Sequence, residues 1–208
     1  EVYTSRTCDG CHFVGFMSQS KRIETGIGCA SCHGPGSVHA VDELKESIYT
    51  ASDHDPYRAT EVCLQCPMRN RDKRLETVEM KELFGNVRDY PKGFEPGRPL
   101  IDYKLQAPYE LGKESKEFYA NGIGKKNRMQ GNEFVHSMMY KHGITCYNCH
   151  DPHKLDSSTT TPVGDALCMK CHGFGSPIGP HQEDLLAHAH CTGASCIDCH
   201  MPKTGRHL

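Results

Sequence analysis

Five copies of the pentapeptide Cys-x-x-Cys-His limit what this chain of 208 residues can fold into. Two thiols two residues apart lie on one short turn and can add to the two vinyl groups on one edge of a porphyrin, while the imidazole of the next residue reaches the iron. The pattern therefore predicts at least five covalently attached haems c. The predicted attachment residues are Cys8, Cys11, Cys29, Cys32, Cys146, Cys149, Cys168, Cys171, Cys196 and Cys199, and the predicted proximal iron ligands are His12, His33, His150, His172 and His200.

Two other classes of protein are also rich in cysteine and histidine, namely disulfide scaffolds and zinc proteins. The chain has thirteen Cys and fourteen His. Zinc sites use paired Cys-x-x-Cys sequences but do not require a histidine immediately after every pair. The regular histidine therefore favours covalent haem over both alternatives.

The composition is poor in material for an ordinary hydrophobic core. Only 37% of the residues are hydrophobic and tryptophan is absent. Ordering the chain nevertheless costs roughly 1–2 kcal/mol per residue in backbone entropy. Because each porphyrin would add a flat apolar surface larger than any side chain, we expect a mainly α fold with extensive ordered loops and little β structure, in which a stack of haems forms the core.

The motifs lie in two clusters, at residues 8–33 and 146–200, and residues 67–145 contain no cysteine. We predict a single domain over residues 1–208 with a haem-poor middle.

Apolar periodicity predicts two helices separated by a loop in the middle region. The first covers residues 71–84. Proline and glycine make residues 91–112 a loop or an extended arm that could dock on a neighbouring copy. The second helix is capped by Asn132, runs to His142 and ends at Gly143.

A further helix is predicted to begin at Ser37, after a Gly-Pro-Gly break. Val38, Val41 and Ile48 recur there at helical spacing and should share one face.

The five proximal histidines leave nine others, which exceeds the five sixth ligands that the haems require. Iron that only transfers electrons is best held with both axial positions filled, so the chain can make every haem bis-histidine from its own residues. His54, between Asp53 and Asp55, is the one that we expect not to bind iron. The candidate distal ligands are His39, His136, His142, His153, His181, His188, His190 and His207.

Two of these candidates closely follow a motif. The Gly-Pro-Gly turn before His39 and the Asp-Pro turn before His153 do not readily let either histidine fold back over its own haem. Each is therefore predicted to bind the iron of a neighbouring haem, which would lock haems into close pairs. His136 and His142 are six residues apart, about 240° around a helix, so they should serve different haems unless one binds none.

The pair Cys63 and Cys66 has the motif spacing but is followed by Pro67 instead of histidine. Three alternatives are open: a disulfide within the pair or with Cys191, a sixth haem whose proximal ligand comes from elsewhere, and free thiols. Because the number of cysteines is odd, at least one thiol is left over unless it pairs with another chain.

Charge and chemistry indicate where the chain acts. Its formal charge is −2, and each ferric bis-imidazole haem adds about −1 when both propionates are ionised, which argues against nucleic acid as a partner. Covalent haem is attached outside the cytoplasmic membrane, and no apolar run approaches the ~18 residues needed for a membrane span. We expect an exported chain whose signal peptide has been removed, located in the periplasm or extracellularly at the cell surface.

Three stretches resemble signatures of one multihaem cytochrome c superfamily. They are residues 26–39 (GIGCASCHGPGSVH), 143–153 (GITCYNCHDPH) and 196–203 (CIDCHMPK). The superfamily includes nitrifier tetrahaem cytochromes, hydroxylamine oxidoreductase, pentahaem nitrite reductase and filament-forming extracellular cytochromes. The resemblance implies that His39 and His153 are distal ligands within neighbouring haem pairs. It also implies that relatives have a complete motif where Pro67 interrupts this one.

The resemblance leaves several functions open. The nitrite reductase pattern replaces one motif histidine with lysine, and this sequence contains no Cys-x-x-Cys-Lys. We therefore expect an electron-transfer conduit and not an enzyme, with redox proteins or extracellular electron acceptors as partners. The alternatives are a periplasmic oxidoreductase with one open haem, of the nitrite or hydroxylamine type, and a discrete soluble shuttle. Copies of the chain are expected to form a homo-oligomer or a homopolymer, such as a conductive filament.

Overall fold

The structure is a computed structural model that describes residues 9–14, 24–72, 90–91, 93–107, 109–126, 129–154, 163–173 and 194–201. The helices within these ranges are Asp9–His12, Ala30–His33, His39–Asp42, Pro56–Leu64, Gln130–His136, Met138–Lys141, Asp165–His172 and Cys196–His200, with 3-10 turns at Lys45–Ser47, Ala51–Asp53, Leu100–Asp102 and Cys146–Asn148. The strands form two antiparallel pairs, Phe13–Val14 with Glu24–Thr25 and Asn70–Asp72 with Lys104–Gln106. The fold is thus mainly helical with long irregular connections and little β structure, which confirms the predicted class.

The chain divides into two compact units. One contains Glu1–Thr145 with Arg206–Leu208, and the other contains Cys146–Gly205. The single domain over residues 1–208 stays a prediction.

The helix Pro56–Leu64 is the longest in the described part of the chain, and its start has a clear cause. The Asp55 side chain accepts hydrogen bonds from the backbone N–H groups of Tyr57 and Arg58, and proline occupies the first helical position. Both features satisfy or remove backbone donors that a helix start leaves without partners. The helix therefore begins at a fixed residue and brings Cys63 to its last turn.

A small hydrophobic cluster lies beside that helix. Leu64, Met68 and Leu100 are buried in it, and Phe94 and Val135 pack against it partly buried. Within the loop or arm predicted at residues 91–112, Phe94 and Leu100 therefore contribute to this core, whereas Leu111 is 74% exposed.

The helix predicted at residues 71–84 is wrong at its first two residues. Arg71 and Asp72 belong to the strand Asn70–Asp72, which pairs with Lys104–Gln106. This long-range pairing satisfies backbone groups that a helix would have paired locally. Residues 73–84 lie outside the described residues.

The helix predicted from Asn132 to His142 is in fact two helices, Gln130–His136 and Met138–Lys141. Asn132 is not the cap, because its buried side chain accepts from the backbone N–H of Arg69 at 2.8 Å and donates to its carbonyl at 3.2 Å. Ser137 breaks the helix and caps the second one through Tyr140. Gly143 follows with a φ of 76°, the left-handed conformation typical of glycine after a helix.

The helix predicted to begin at Ser37 is shorter than expected and lacks an apolar face. It covers only His39–Asp42 and stops at Glu43, which has a φ of 56°. Val38 and Val41 are 60% and 86% exposed. The Asp42 side chain accepts from the Leu44 N–H, which stabilises a turn where the periodicity had suggested a continuing helix.

Candidate haem-attachment sites

Two complete motifs share one backbone arrangement. In the motif that begins at Cys29, the carbonyl of this residue accepts from the N–H groups of Cys32 at 3.1 Å and His33 at 2.9 Å. In the motif that begins at Cys146, the corresponding distances are 3.2 Å and 2.9 Å. Each motif is therefore a single tight turn that presents two thiols and one imidazole together, as haem attachment requires.

The other complete motifs lie on helices that end at the motif histidine. They are found on Asp9–His12, Asp165–His172 and Cys196–His200. The last of these has a capping box, in which the Ser195 N–H donates to the Asp198 carboxylate at 2.8 Å. Cys8 lies outside the described residues.

The rings of His33 and His39 are oriented by backbone carbonyls. Nδ1 of His33 lies 2.7 Å from the Tyr49 carbonyl oxygen, and Nδ1 of His39 lies 2.8 Å from that of Leu44. A carbonyl only accepts, so each neutral ring carries its proton on Nδ1 and keeps the Nε2 lone pair for a metal. Metal-binding histidines commonly have this kind of support.

The remaining described candidates have different surroundings. His136 is half-buried, with its ring centroid 4.4 Å from that of Tyr109 and 6.1 Å from that of Phe118. Burial, and then the charge of Lys141, lower the pKa of His136, which favours the neutral imidazole. His142 and His153 are exposed.

Other predicted residues can be placed only partly. The His54 ring, expected not to bind iron, stacks on Tyr49 with 4.6 Å between centroids. The predicted residues that lie outside the described ranges, besides Cys8, are His181, His188, His190, Cys191 and His207.

The cysteines Cys63 and Cys66, called the incomplete pair because no histidine follows them, lie in space next to the first two motifs. Cys11, Cys32, Cys63 and Cys66 all line one cavity of about 120 Å³, together with Tyr90. The Sγ atoms of Cys66 and Cys11 lie 4.0 Å and 3.9 Å from the carbonyl oxygen of the other residue. The described residues contain no group of three or more Cys, His, Asp or Glu side chains placed to hold a metal ion directly.

The pKa values of the thiols around this cavity reflect how close these cysteines lie to one another. The interaction with Cys11, and then burial, raise the pKa of Cys66. Burial, and then the charge of Cys63, raise the pKa of Cys32. Burial also raises the pKa of Tyr90, with smaller contributions from Cys66 and Cys11. Cysteines far apart in sequence therefore converge around this cavity.

The second unit brings its three motifs together in the same way. Burial, followed by the charges of Cys168 and Cys171, raises the pKa of Cys149. Burial, followed by Asp165 and Cys168, raises the pKa of Cys196. The Cys196 N–H also donates to the Asp165 carboxylate at 2.8 Å.

Three further residues lie around the cavity of the first unit, and sequence analysis did not identify them as part of a site. Nε2 of Gln65 donates to the carbonyls of Ser31 at 2.9 Å and Val62 at 2.8 Å, which ties the incomplete pair to the second motif. Lys104 and Tyr90 approach the pair from distant parts of the chain. Lys104 and Tyr90 lie outside every motif and are placed by long-range packing, whereas Gln65 lies within the Cys63–Cys66 pair, whose spacing does not indicate its contact with Ser31.

The apolar surface near the motifs fits covalent haem. Met169 and Ile197, which lie inside motifs, are each 44% exposed, and Met201 directly after the last motif is 65% exposed. Exposing such side chains to water is unfavourable, and a macrocycle bound at the adjacent thiols would cover apolar surface here. The turns, the oriented imidazoles and these side chains are therefore compatible with haem c.

Two comparisons with known proteins found similarity, one to the motifs and one to the fold. A family model described as a doubled CXXCH motif matches residues 138–176, which contain two of the complete motifs. The chain is similar to a structure described as the crystal structure of the outer cell wall cytochrome OcwA, with a TM-score of 0.67 and 23% sequence identity. The similarity covers 98% of this chain and 54% of that one, so this chain spans about half the length of OcwA. A comparison with curated proteins found no match.

Proposed function

We propose that this chain, a multihaem c-type cytochrome, acts as an electron-transfer conduit in which neighbouring haems pass electrons to one another. The observation that carries the proposal is the convergence of thiols from different motifs. Cys11 lies beside Cys66 and near Cys32, while Cys168 lies near Cys149 and Cys196. Because electron tunnelling slows steeply with distance, haems attached at such adjacent points would be close enough for rapid transfer.

The proposed axial ligation supports the same role. At least five haems would have the motif histidines as proximal ligands, and distal ligands would come from the candidates named above. The Nδ1 hydrogen bonds of His33 and His39 are what such ligands need. Six-coordinate low-spin iron changes little in geometry between its oxidation states, which favours electron transfer over substrate binding.

An extracytoplasmic location, with redox proteins or extracellular acceptors as partners, belongs to the same proposal. The similar cytochrome is described as an outer cell wall protein. No helix within the described residues is long and apolar enough to cross a membrane.

Assembly of copies into a conductive homopolymer is an extension of the proposal. His12 and His200, in the first and last motifs, are both exposed, so a haem at each of these motifs could face another copy. Electron micrographs of the holoprotein under mild conditions should then show filaments. Dispersed monomers would contradict this extension and leave the conduit proposal in place.

The first test combines an intact mass, which counts the attached haems, with an electron paramagnetic resonance (EPR) spectrum of the air-oxidised holoprotein. We expect at least five haems and low-spin ferric signals from the haems on the five complete motifs. A high-spin signal from one of these haems would instead indicate an open coordination site, and would favour an oxidoreductase acting on nitrite or hydroxylamine.

A further inference from the structure

Lys104 is buried next to the incomplete cysteine pair. Its side chain belongs to a residue that is only 1% exposed, and Nζ donates to the carbonyl oxygens of Gln65 at 2.8 Å and Met68 at 2.9 Å. These two carbonyls flank Cys66 and Pro67. The amine therefore lies at the point in the chain where the five complete motifs have their histidine.

The incomplete pair has the turn of a haem-attachment motif. The Cys66 N–H donates to the Cys63 carbonyl at 3.3 Å. The corresponding bonds between the two cysteines are 3.1 Å and 3.2 Å in the motifs that begin at Cys29 and Cys146. Only the following bond differs, because Pro67 has no N–H.

The state of the thiols is also that of the complete motifs. In the structure, Cys66 and Cys32 of the neighbouring motif are both thiols, and neither is half of a disulfide. A disulfide between Cys63 and Cys66 is the alternative that the tests below distinguish from haem attachment. Both residues line the cavity that Cys11 and Cys32 also line, so they face two haem-attachment motifs.

We propose that Cys63 and Cys66 carry a sixth haem c, and that the side-chain amine of Lys104 is the axial iron ligand that histidine provides in the complete motifs. The proposal rests on the proposed function, because it needs a chain that is loaded with haem c. Each thiol adds across one vinyl group: a sulfur–carbon bond forms, the carbon–carbon double bond becomes single, and the thiol hydrogen goes to the neighbouring carbon. This addition consumes no oxidant or reductant.

The hydrogen bonds of Lys104 suit iron ligation. An amine bound to a metal has given up one proton of the ammonium to solvent, and keeps two N–H groups and a donated lone pair. The carbonyl oxygens of Gln65 and Met68 are acceptors for such N–H groups.

Lys104 reaches this position because of the strand pairing. Asp72 is the register partner of Lys104 in the pair formed by Asn70–Asp72 and Lys104–Gln106. The pairing fixes Lys104 beside the segment that follows the cysteines. Sequence separation hides this arrangement, since Lys104 lies 37 positions after Pro67.

The haem itself is tested by counting. The holoprotein should carry six haems by intact mass, and a haem-bearing proteolytic peptide should contain Cys63 and Cys66. The double variant Cys63→Ala/Cys66→Ala should lose one haem and keep the other five. Five haems in the wild-type holoprotein, with residues 63 and 66 recovered as a disulfide or as alkylated thiols, would overturn the proposal.

The ligand is tested on the same holoprotein by pulsed EPR after selective ¹⁵N labelling of lysine. We expect a lysine nitrogen coupled directly to ferric iron. The coupling should disappear in Lys104→His, which keeps a ligand, and persist in the control Lys113→His, because Lys113 is an exposed residue paired with Glu110. Six haems without a lysine coupling in the wild type, or a coupling that survives in Lys104→His, would overturn the role of Lys104.

A structural role for Lys104 makes a different prediction. If the amine only held the turn, Lys104→Gln would keep a donor for the carbonyls and leave the haem spectra unchanged. We expect instead that about one haem equivalent changes its EPR signal, while Gln65→Leu, which removes other bonds of the same turn, does not cause this change. Failure of either experiment would leave the five complete motifs, and therefore the conduit proposal, intact.

Discussion

At the scale of single residues, the arrangement of imidazoles could be predicted only in part. The spacing of the motifs predicts which histidines follow the cysteines, since that chemistry is local. It does not show that the Tyr49 and Leu44 carbonyls orient His33 and His39. Backbone acceptors carry no sequence signature, so such support is found only in three dimensions.

Replacement of His39 tests whether it is a distal ligand. His39→Ala should convert about one haem equivalent from low spin to high spin, because its iron loses one strong axial ligand. EPR and optical spectra of the oxidised holoprotein would measure the change. His54→Ala is the matched control in the same unit, and its spectra should equal those of the wild type. Unchanged spectra in both variants would exclude His39 as a ligand.

Asn132 makes a second prediction at this scale. Asn132→Leu should lower the free energy of unfolding of the holoprotein by about 1–3 kcal/mol, because the backbone groups of Arg69 lose two hydrogen bonds in a partly buried place. Chemical denaturation followed by circular dichroism would measure it. The exposed Asn121, which bonds the Ile123 N–H, serves as the control, and Asn121→Ala should cost clearly less.

At the scale of helices and strands, local signals predicted where elements stop better than how far they extend. Gly143 ends a helix as expected, whereas the helix over Val38, Val41 and Ile48 is not formed as predicted. Apolar periodicity indicates burial against protein only where protein forms the core. In this chain, apolar residues near the motifs can be covered by haem instead, so the pattern loses its usual meaning.

The cap of the helix Pro56–Leu64 tests how firmly the cysteine pair is placed. Asp55→Ala should lower the free energy of unfolding by about 0.5–2 kcal/mol, because the N–H groups of Tyr57 and Arg58 lose their acceptor. Asp55→Asn keeps an accepting oxygen and should retain most of the stability. Equal losses in the two variants, measured by chemical denaturation, would show that the carboxylate charge matters more than the cap.

At the scale of the whole chain, the described residues contain too little buried apolar material to explain folding without haem. The buried hydrophobic side chains are Ala59, Val62, Leu64, Met68, Leu100, Phe118 and Met129. Each large side chain that is fully buried contributes about 1.5–3 kcal/mol, whereas each ordered residue costs roughly 1–2 kcal/mol in backbone entropy. The haem core expected from the motifs would supply the missing apolar surface.

The apoprotein provides the corresponding test. Chain produced without haem attachment should show no cooperative unfolding transition and little protection of its amide hydrogens from exchange, because most of the apolar surface that offsets the entropy cost would be missing. The holoprotein, measured at the same pH and ionic strength, should show both. A cooperative transition in the apoprotein would mean that side chains alone form an adequate core, and that the haems are carried by a protein scaffold which folds before they are attached.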